Sequence, residues 1–247
     1  MINLGDHTFS AYFLEARTSN RHIKTPSLQR FASWGKYTSQ KFVIDSLDSL
    51  NDGNNADNYY NSVFVSEREW ITGNRDIFII EGQQRFTHWN LCEISFRNNI
   101  INRRLDEKYP DLKNIASQIY DNLTLLKSGN PILILKGNDH YIFKAIFNND
   151  SDAIKTYIDN KECLAIEYKN VNQIISKVFI DFTKGRITLD QVMDYYYKCL
   201  LKAKVSVMKC QTEFEEYKMF ERLNTKTVSP DDSDLVFSNL DQENTQS

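Results

Sequence analysis

With 247 residues, 41% of them hydrophobic and 26% charged, and a formal net charge of -3, the chain has the balance of a globular protein with a sizeable core. No apolar run approaches the roughly 20 residues that cross a bilayer, and the opening residues lack the basic-then-apolar order of a secretion signal, so the expectation is a cytoplasmic protein with no membrane association. Cys92, Cys163, Cys199 and Cys210 have no short paired spacing and His7, His22, His88 and His140 are scattered, which spells neither a zinc nor a redox motif and leaves the cysteines as small core residues.

Charge is unevenly spread along the chain. Residues 16–44 contain no acid but hold Arg17, Arg21, Lys24, Arg30, Lys36 and Lys41, with His22, Trp34 and Tyr37 among them. Such a stretch is either a solvated face or a DNA-binding surface, and with so few cations the binding would be weak and salt-sensitive. The phase of Phe42, Val43, Leu47 and Leu50 predicts a helix over 38–50, closed by a polar linker at 51–55. Strands are predicted over 62–71 and 76–80, joined as a hairpin by Thr72, Gly73, Asn74 and Arg75. A helix follows over 85–99. Beyond it, helices are predicted over 111–127, 151–160, 170–183, 188–202, 212–223 and 230–240, and short strands over 131–135 and 204–209. Residues 241–247 are polar and read as a disordered tail. The sum is an α+β domain with a small sheet near the N-terminal half and a largely helical second half, divided into a region 1–105 and a mainly helical region, 106–240, that closes the same domain.

The segment that carries chemistry is 80–87, Ile-Glu-Gly-Gln-Gln-Arg-Phe-Thr. A strand that hands over to a helix through glycine leaves backbone N–H groups pointing out of the turn, and the helix dipole adds partial positive charge there. Gly82 lets a ligand approach the backbone. Arg85 can hold two phosphate oxygens with its guanidinium fork. By itself this pattern is common, since a strand, a glycine and a helix often connect in this way, with the arginine solvated or ion-paired.

Three segments in order resemble one family. Residues 25–34, with Pro26, Gln29, Arg30 and Trp34, are similar to the opening proline, Gln-Arg, tryptophan motif of GmrSD-type restriction endonuclease N-terminal domains. Residues 80–87 resemble that family's Asp-Gly-Gln-Gln-Arg-Leu-Thr hallmark. Residues 219–224, Met-Phe-Glu-Arg-Leu-Asn, followed by 228–235, resemble its closing Phe-Glu-x-Leu-Asn and Leu-Ser-x-x-Asp-Leu motifs. The resemblance implies a fold related to ParB and sulfiredoxin, whose Gly-x-x-Arg loop at a helix start holds nucleotide phosphates. It also implies an NTP with Mg²⁺ as cofactor. Carried over by position, Gln29, Arg30, Gly82, Gln83, Gln84, Arg85, Thr87 and Asn224 would bind the nucleotide, with Arg30 and Glu81 catalytic and Glu81 the metal ligand.

Two departures from the family pattern matter. Glu81 stands where the family has aspartate, which reaches one methylene further; it either holds Mg²⁺ or orients water, or is a strand-end carboxylate that fixes an arginine. Trp34 has the bland reading of a core anchor. No His-Asn-His nuclease motif occurs, and Asp152 with Glu167, Tyr168 and Lys169 imitates only loosely the carboxylate and Glu-x-Lys arrangement of another nuclease class. The reading is a nucleotide-binding, NTP-hydrolysing regulatory subunit of a modification-dependent restriction or anti-phage system. Its partners would be DNA, through Arg17, Arg21, Lys24, Lys36 and Lys41, and a separately encoded nuclease subunit, with a homo-oligomer left open. The alternatives are a non-enzymatic DNA-binding or sensing module that uses the same arginines on backbone phosphate, and a degenerate interaction scaffold.

Overall fold

The computed structural model describes residues 3–26, 59–69 and 75–210, with isolated positions within 41–44 and 212–221. The predicted helices over 38–50 and 212–223 are therefore seen only in part, and the helix over 230–240 and the tail 241–247 lie outside the described residues. In chain order the elements are β1 (Asn3–Thr8), α1 (Phe9–Thr18), β2 (Ile23–Lys24), β3 (Tyr59–Glu69), β4 (Arg75–Glu81), α2 (Gln83–Asn102), α3 (Pro110–Leu123), β5 (Leu133–Ile134), α4 (Gly137–Phe147), α5 (Ser151–Asp159), α6 (Cys163–Thr183), α7 (Leu189–Asp194), a π-helical turn (Tyr195–Leu201) and β6 (Lys204–Cys210).

The α+β class holds, with a six-stranded sheet in the order β1-β6-β3-β4-β2-β5 and a mainly helical second half. The sheet's strands β5 and β6 come from the second half of the chain, where short strands are predicted over 131–135 and 204–209. β6 pairs antiparallel with β1 and parallel with β3, and β5 pairs parallel with β2. The β3–β4 hairpin forms as the sequence suggests, antiparallel. β1, β2, α1 and α4 have no counterpart among the predicted elements, and α6 starts seven residues before the predicted 170.

α1 presents Phe9, Tyr12, Phe13 and Ala16 on one face, all buried. Phe9 stacks on Trp89 of α2 at 5.4 Å between ring centroids and meets Phe86 edge-on at 5.5 Å, geometries that aromatic pairs favour. Thr8 caps α1 by accepting a hydrogen bond from the Ala11 amide.

α2 runs through the interior of the molecule, although many of its residues are polar. All residues from Phe86 to Ile100 are buried. Several of its polar side chains find partners inside: Ser95 Oγ donates to Asn172 Oδ1 at 2.7 Å, Asn98 Nδ2 to Ile146 O at 3.2 Å, and Trp89 Nε1 to Leu200 O at 3.1 Å. The carbonyl that Trp89 reaches belongs to the π-helical turn, where both Tyr195 and Tyr196 are buried. Cys92, Cys199 and Cys210 are core residues, whereas Cys163, at the start of α6, is exposed.

Candidate phosphate-binding cleft

β4 ends at Glu81, and Gly82 then turns left-handed (φ 94°) as the residue that precedes α2. A Cβ at this position would lie 2.6 Å from Val63 Cγ1. Backbone conformation and space therefore both require glycine. A β-bulge at Phe64 and Val65 pairs Phe64 with Glu81 but Val65 with Ile79, and such irregularities re-aim the end of a strand. No side chain caps α2 and its first turn holds no acid, which keeps the positive end of the helix dipole unopposed.

A cleft opens beside this turn, lined by Thr25, Gln83, Gln84, Thr87, Leu135, Lys136 and Asp139. Its position follows from the sheet. β2 runs parallel to both β4 and β5. Thr25 follows β2, Gln83 follows the glycine that ends β4, and Leu135 and Lys136 follow β5. The carboxyl ends of parallel strands are where open sheets hold ligands. The described walls of the cleft leave room for little more than one water molecule, and most of its roughly 210 Å³ is space open to solvent. The Thr25 hydroxyl on this wall is covered and has no hydrogen-bond partner among the described residues, a loss of about 1–3 kcal/mol unless a ligand or water restores it.

Of the residues singled out in the sequence, Gln83, Gln84 and Thr87 come together on the cleft. Glu81 and Arg85 stand on the other flank of the turn. Arg85 Nη1 donates to Ser62 O at 3.1 Å and to Glu81 Oε2 at 3.3 Å, so Glu81 here steadies an arginine and takes no part in the cleft wall. Gln29, Arg30, Lys36 and Asn224 lie outside the described residues, and Lys41 is exposed. Arg17 pairs with Asp121 at 3.1 Å, Arg21 with Glu67 at 2.6 Å and Glu15 at 3.3 Å, and Lys24 with Asp76 at 2.6 Å. Arg17, Arg21 and Lys24 are thus met by acids from α1, α3, β3 and β4, and these three cations offer little net charge to a DNA backbone. Lys136, Asp139 and Thr25 were not singled out; the legible signal was Gly137, a second glycine between a strand and a helix, with φ 53°.

Behind the cleft lies a buried polar seam. His88 Nδ1 and Glu167 Oε1 are 2.9 Å apart, both side chains fully buried. Burial pushes the Glu167 carboxyl up, and the bond to His88 pulls it partly back. One turn further along α2, Glu93 is pushed up to about 8 by burial alone, so it is protonated in the interior at neutral pH. Glu167 is therefore no nuclease metal ligand: it is sealed in the core, while Asp152 sits exposed in the first turn of α5. Among the described residues no three His, Cys, Asp or Glu side chains are grouped to hold a metal ion.

No curated protein matches the chain. A model of the GmrSD restriction endonuclease N-terminal domain does match, over residues 12–240. That span takes in the Gly82 turn, all three strands whose ends form the cleft, and both helices that start there. The chain therefore belongs to the GmrSD restriction endonuclease N-terminal domain family, and with it to the components of restriction systems.

Proposed function

We propose that this chain is the nucleotide-binding, NTP-hydrolysing regulatory part of its restriction system, and that it governs a nuclease supplied by a partner subunit or domain. Family membership implies DNA association and such a nuclease; the nucleotide is our reading of the site. The observation that carries it is the uncapped start of α2, with Gln83, Gln84 and Thr87 on a cleft at the ends of three parallel strands. Amides and a helix dipole that converge on one concavity favour an anion with several oxygens, and a triphosphate tail is of that kind.

Each residue then has a role. The backbone at Gly82 and the first turn of α2 cradle the phosphates. Thr87 and Gln84 donate side-chain hydrogen bonds to them. Arg85, held by Glu81 and Ser62, contributes positive potential from the far flank of the turn. Gln29 and Arg30 follow Thr25 by four and five residues, within about 18 Å of extended chain, and so can complete the site. Arg30 would offset charge that develops as the γ-phosphoryl group transfers to water.

Phosphate release from each of the four NTPs with Mg²⁺, followed alongside binding, tests this reading. Turnover supports an enzyme, and binding without turnover supports a nucleotide-operated switch. Absence of binding to any NTP, with DNA affinity intact, would instead favour a DNA-sensing module.

A further inference from the structure

We propose that the outward stripe of α6 meets the phosphate backbone of double-stranded DNA, through Lys169, Lys177 and Lys184 with Arg103 beside them. Family membership implies DNA association and leaves the surface unassigned. The nucleotide reading above neither requires this surface nor depends on it.

The stripe follows from helical phase. Leu164, Tyr168, Val171, Ile175 and Phe179 bury one side of α6 against the rest of the molecule. At about 100° per residue, the opposite side carries Ile166, Lys169, Gln173, Lys177, Ile180 and Lys184 within an arc of roughly 80°. Lys169, Gln173, Lys177 and Lys184 are exposed. The three lysines span about 22 Å of helix in steps of about 12 and 11 Å, the scale of the roughly 12 Å major groove of B-DNA. Arg103, which closes α2, widens the stripe. Its Nη2 donates to Ser176 Oγ at 2.9 Å and its Nε to Asn99 Oδ1 at 3.4 Å; both partners are neutral, so no carboxylate offsets its charge.

A helix face built only for solubility interleaves both signs of charge. Other exposed helices of this chain do so, with Asp111, Lys113 and Asp121 on α3 and Asp152, Lys155 and Asp159 on α5. From Ile166 to Lys184 the α6 stripe holds no acid. Glu167 lies on the buried side, and Asp181, the nearest carboxylate to Lys177 and Lys184 along the helix, pairs with Arg186 at 2.8 Å. Among the described residues none of the three lysines has an ion-pair partner. In a chain of net charge -3, a polyanion can be held only where acids are locally absent. Duplex DNA, with one charge per roughly 1.7 Å of axis, is the polyanion that a component of a restriction system meets. Contacts of this kind fix position and orientation on the duplex and read no sequence.

The test is fluorescence anisotropy of the whole chain on a mixed-sequence DNA duplex over a series of salt concentrations, with melting curves to confirm folding. Three proteins are compared: the wild type; Lys169→Gln with Lys177→Gln and Lys184→Gln; and a control that removes the same charge from other exposed positions, Lys113→Gln with Lys127→Gln and Lys155→Gln. The stripe variant should bind at least about tenfold more weakly than the wild type, and its slope of log K against log salt should be shallower by roughly 2–3, near 0.9 for each lost phosphate contact. The control should keep the wild-type slope. If the triple stripe variant does not fold, Lys177→Gln alone decides: its slope should fall by about one, and an unchanged slope overturns the inference. Undiminished affinity in the stripe variant, equal losses in stripe variant and control, or a wild type that binds no duplex each overturns it. So does a stripe that prefers an RNA duplex of the same sequence, or vesicles of anionic lipid, to the DNA.

Discussion

Gly82 is the residue at which sequence and geometry agree most closely. Its left-handed backbone and the 2.6 Å approach of Val63 predict that Gly82→Ala destabilises the fold by about 2–4 kcal/mol, strain and crowding together, as urea unfolding would measure. Glu93 gives a prediction of a different kind. Its carboxyl rises from 4.5 to about 8 on burial, so between those pH values the folded chain keeps a proton that the unfolded chain has lost. Stability must then fall as pH rises through that window. Glu93→Gln should flatten the fall, with the variant gaining on the wild type from pH 5 to pH 8 in melting experiments. That Glu93 is buried was not legible, because a glutamate three residues from Asn90 reads as the solvated face of a helix. The Gly82 turn was legible because positive φ and a strand-to-helix switch both leave a local mark. Lys136 and Asp139 left only the mark of Gly137 between them, since they meet Gln83 and Thr87 only through the pairing of β4 and β5 with a two-residue strand between them.

At the level of elements, α2 shows where periodicity fails as a guide. Several of its polar residues are met by α6, the end of α4 and the π-helical turn, and no pattern within the helix announces those partners. α1 and α4 are the reverse case: Phe9, Tyr12, Phe13 and Ala16, or Ile142, Phe143, Ile146 and Phe147, fall at helical spacing and could have been read. β1 could not, because a terminal strand is recognised only by the β6 it pairs with. The α2–α6 seam carries its own expectation. Glu167→Ala should cost about 3–5 kcal/mol by leaving a buried partner uncompensated, whereas His88→Leu with Glu167→Leu should cost less than the two single changes added together. A double-mutant cycle by chemical denaturation checks this.

For the whole molecule, the placement of charge decides how it meets DNA. A net charge of -3, with Arg17, Arg21 and Lys24 each paired to a carboxylate, argues that these cations tie α1 and β2 to α3, β3 and β4. Replacing all three by alanine should therefore lower the melting temperature while DNA affinity and its salt dependence, followed by fluorescence anisotropy, change little. The sheet that these pairs brace is also what brings three strand ends and two helix starts to one cleft, and the central claim is that this cleft takes the phosphates of an NTP. Calorimetric titration of the wild type, Gln84→Ala and Thr87→Val with each NTP in Mg²⁺ tests it most directly. The account predicts saturable binding to the wild type, weakened about tenfold or more in each variant; absence of binding to any NTP, or affinity that both variants leave untouched, would contradict it.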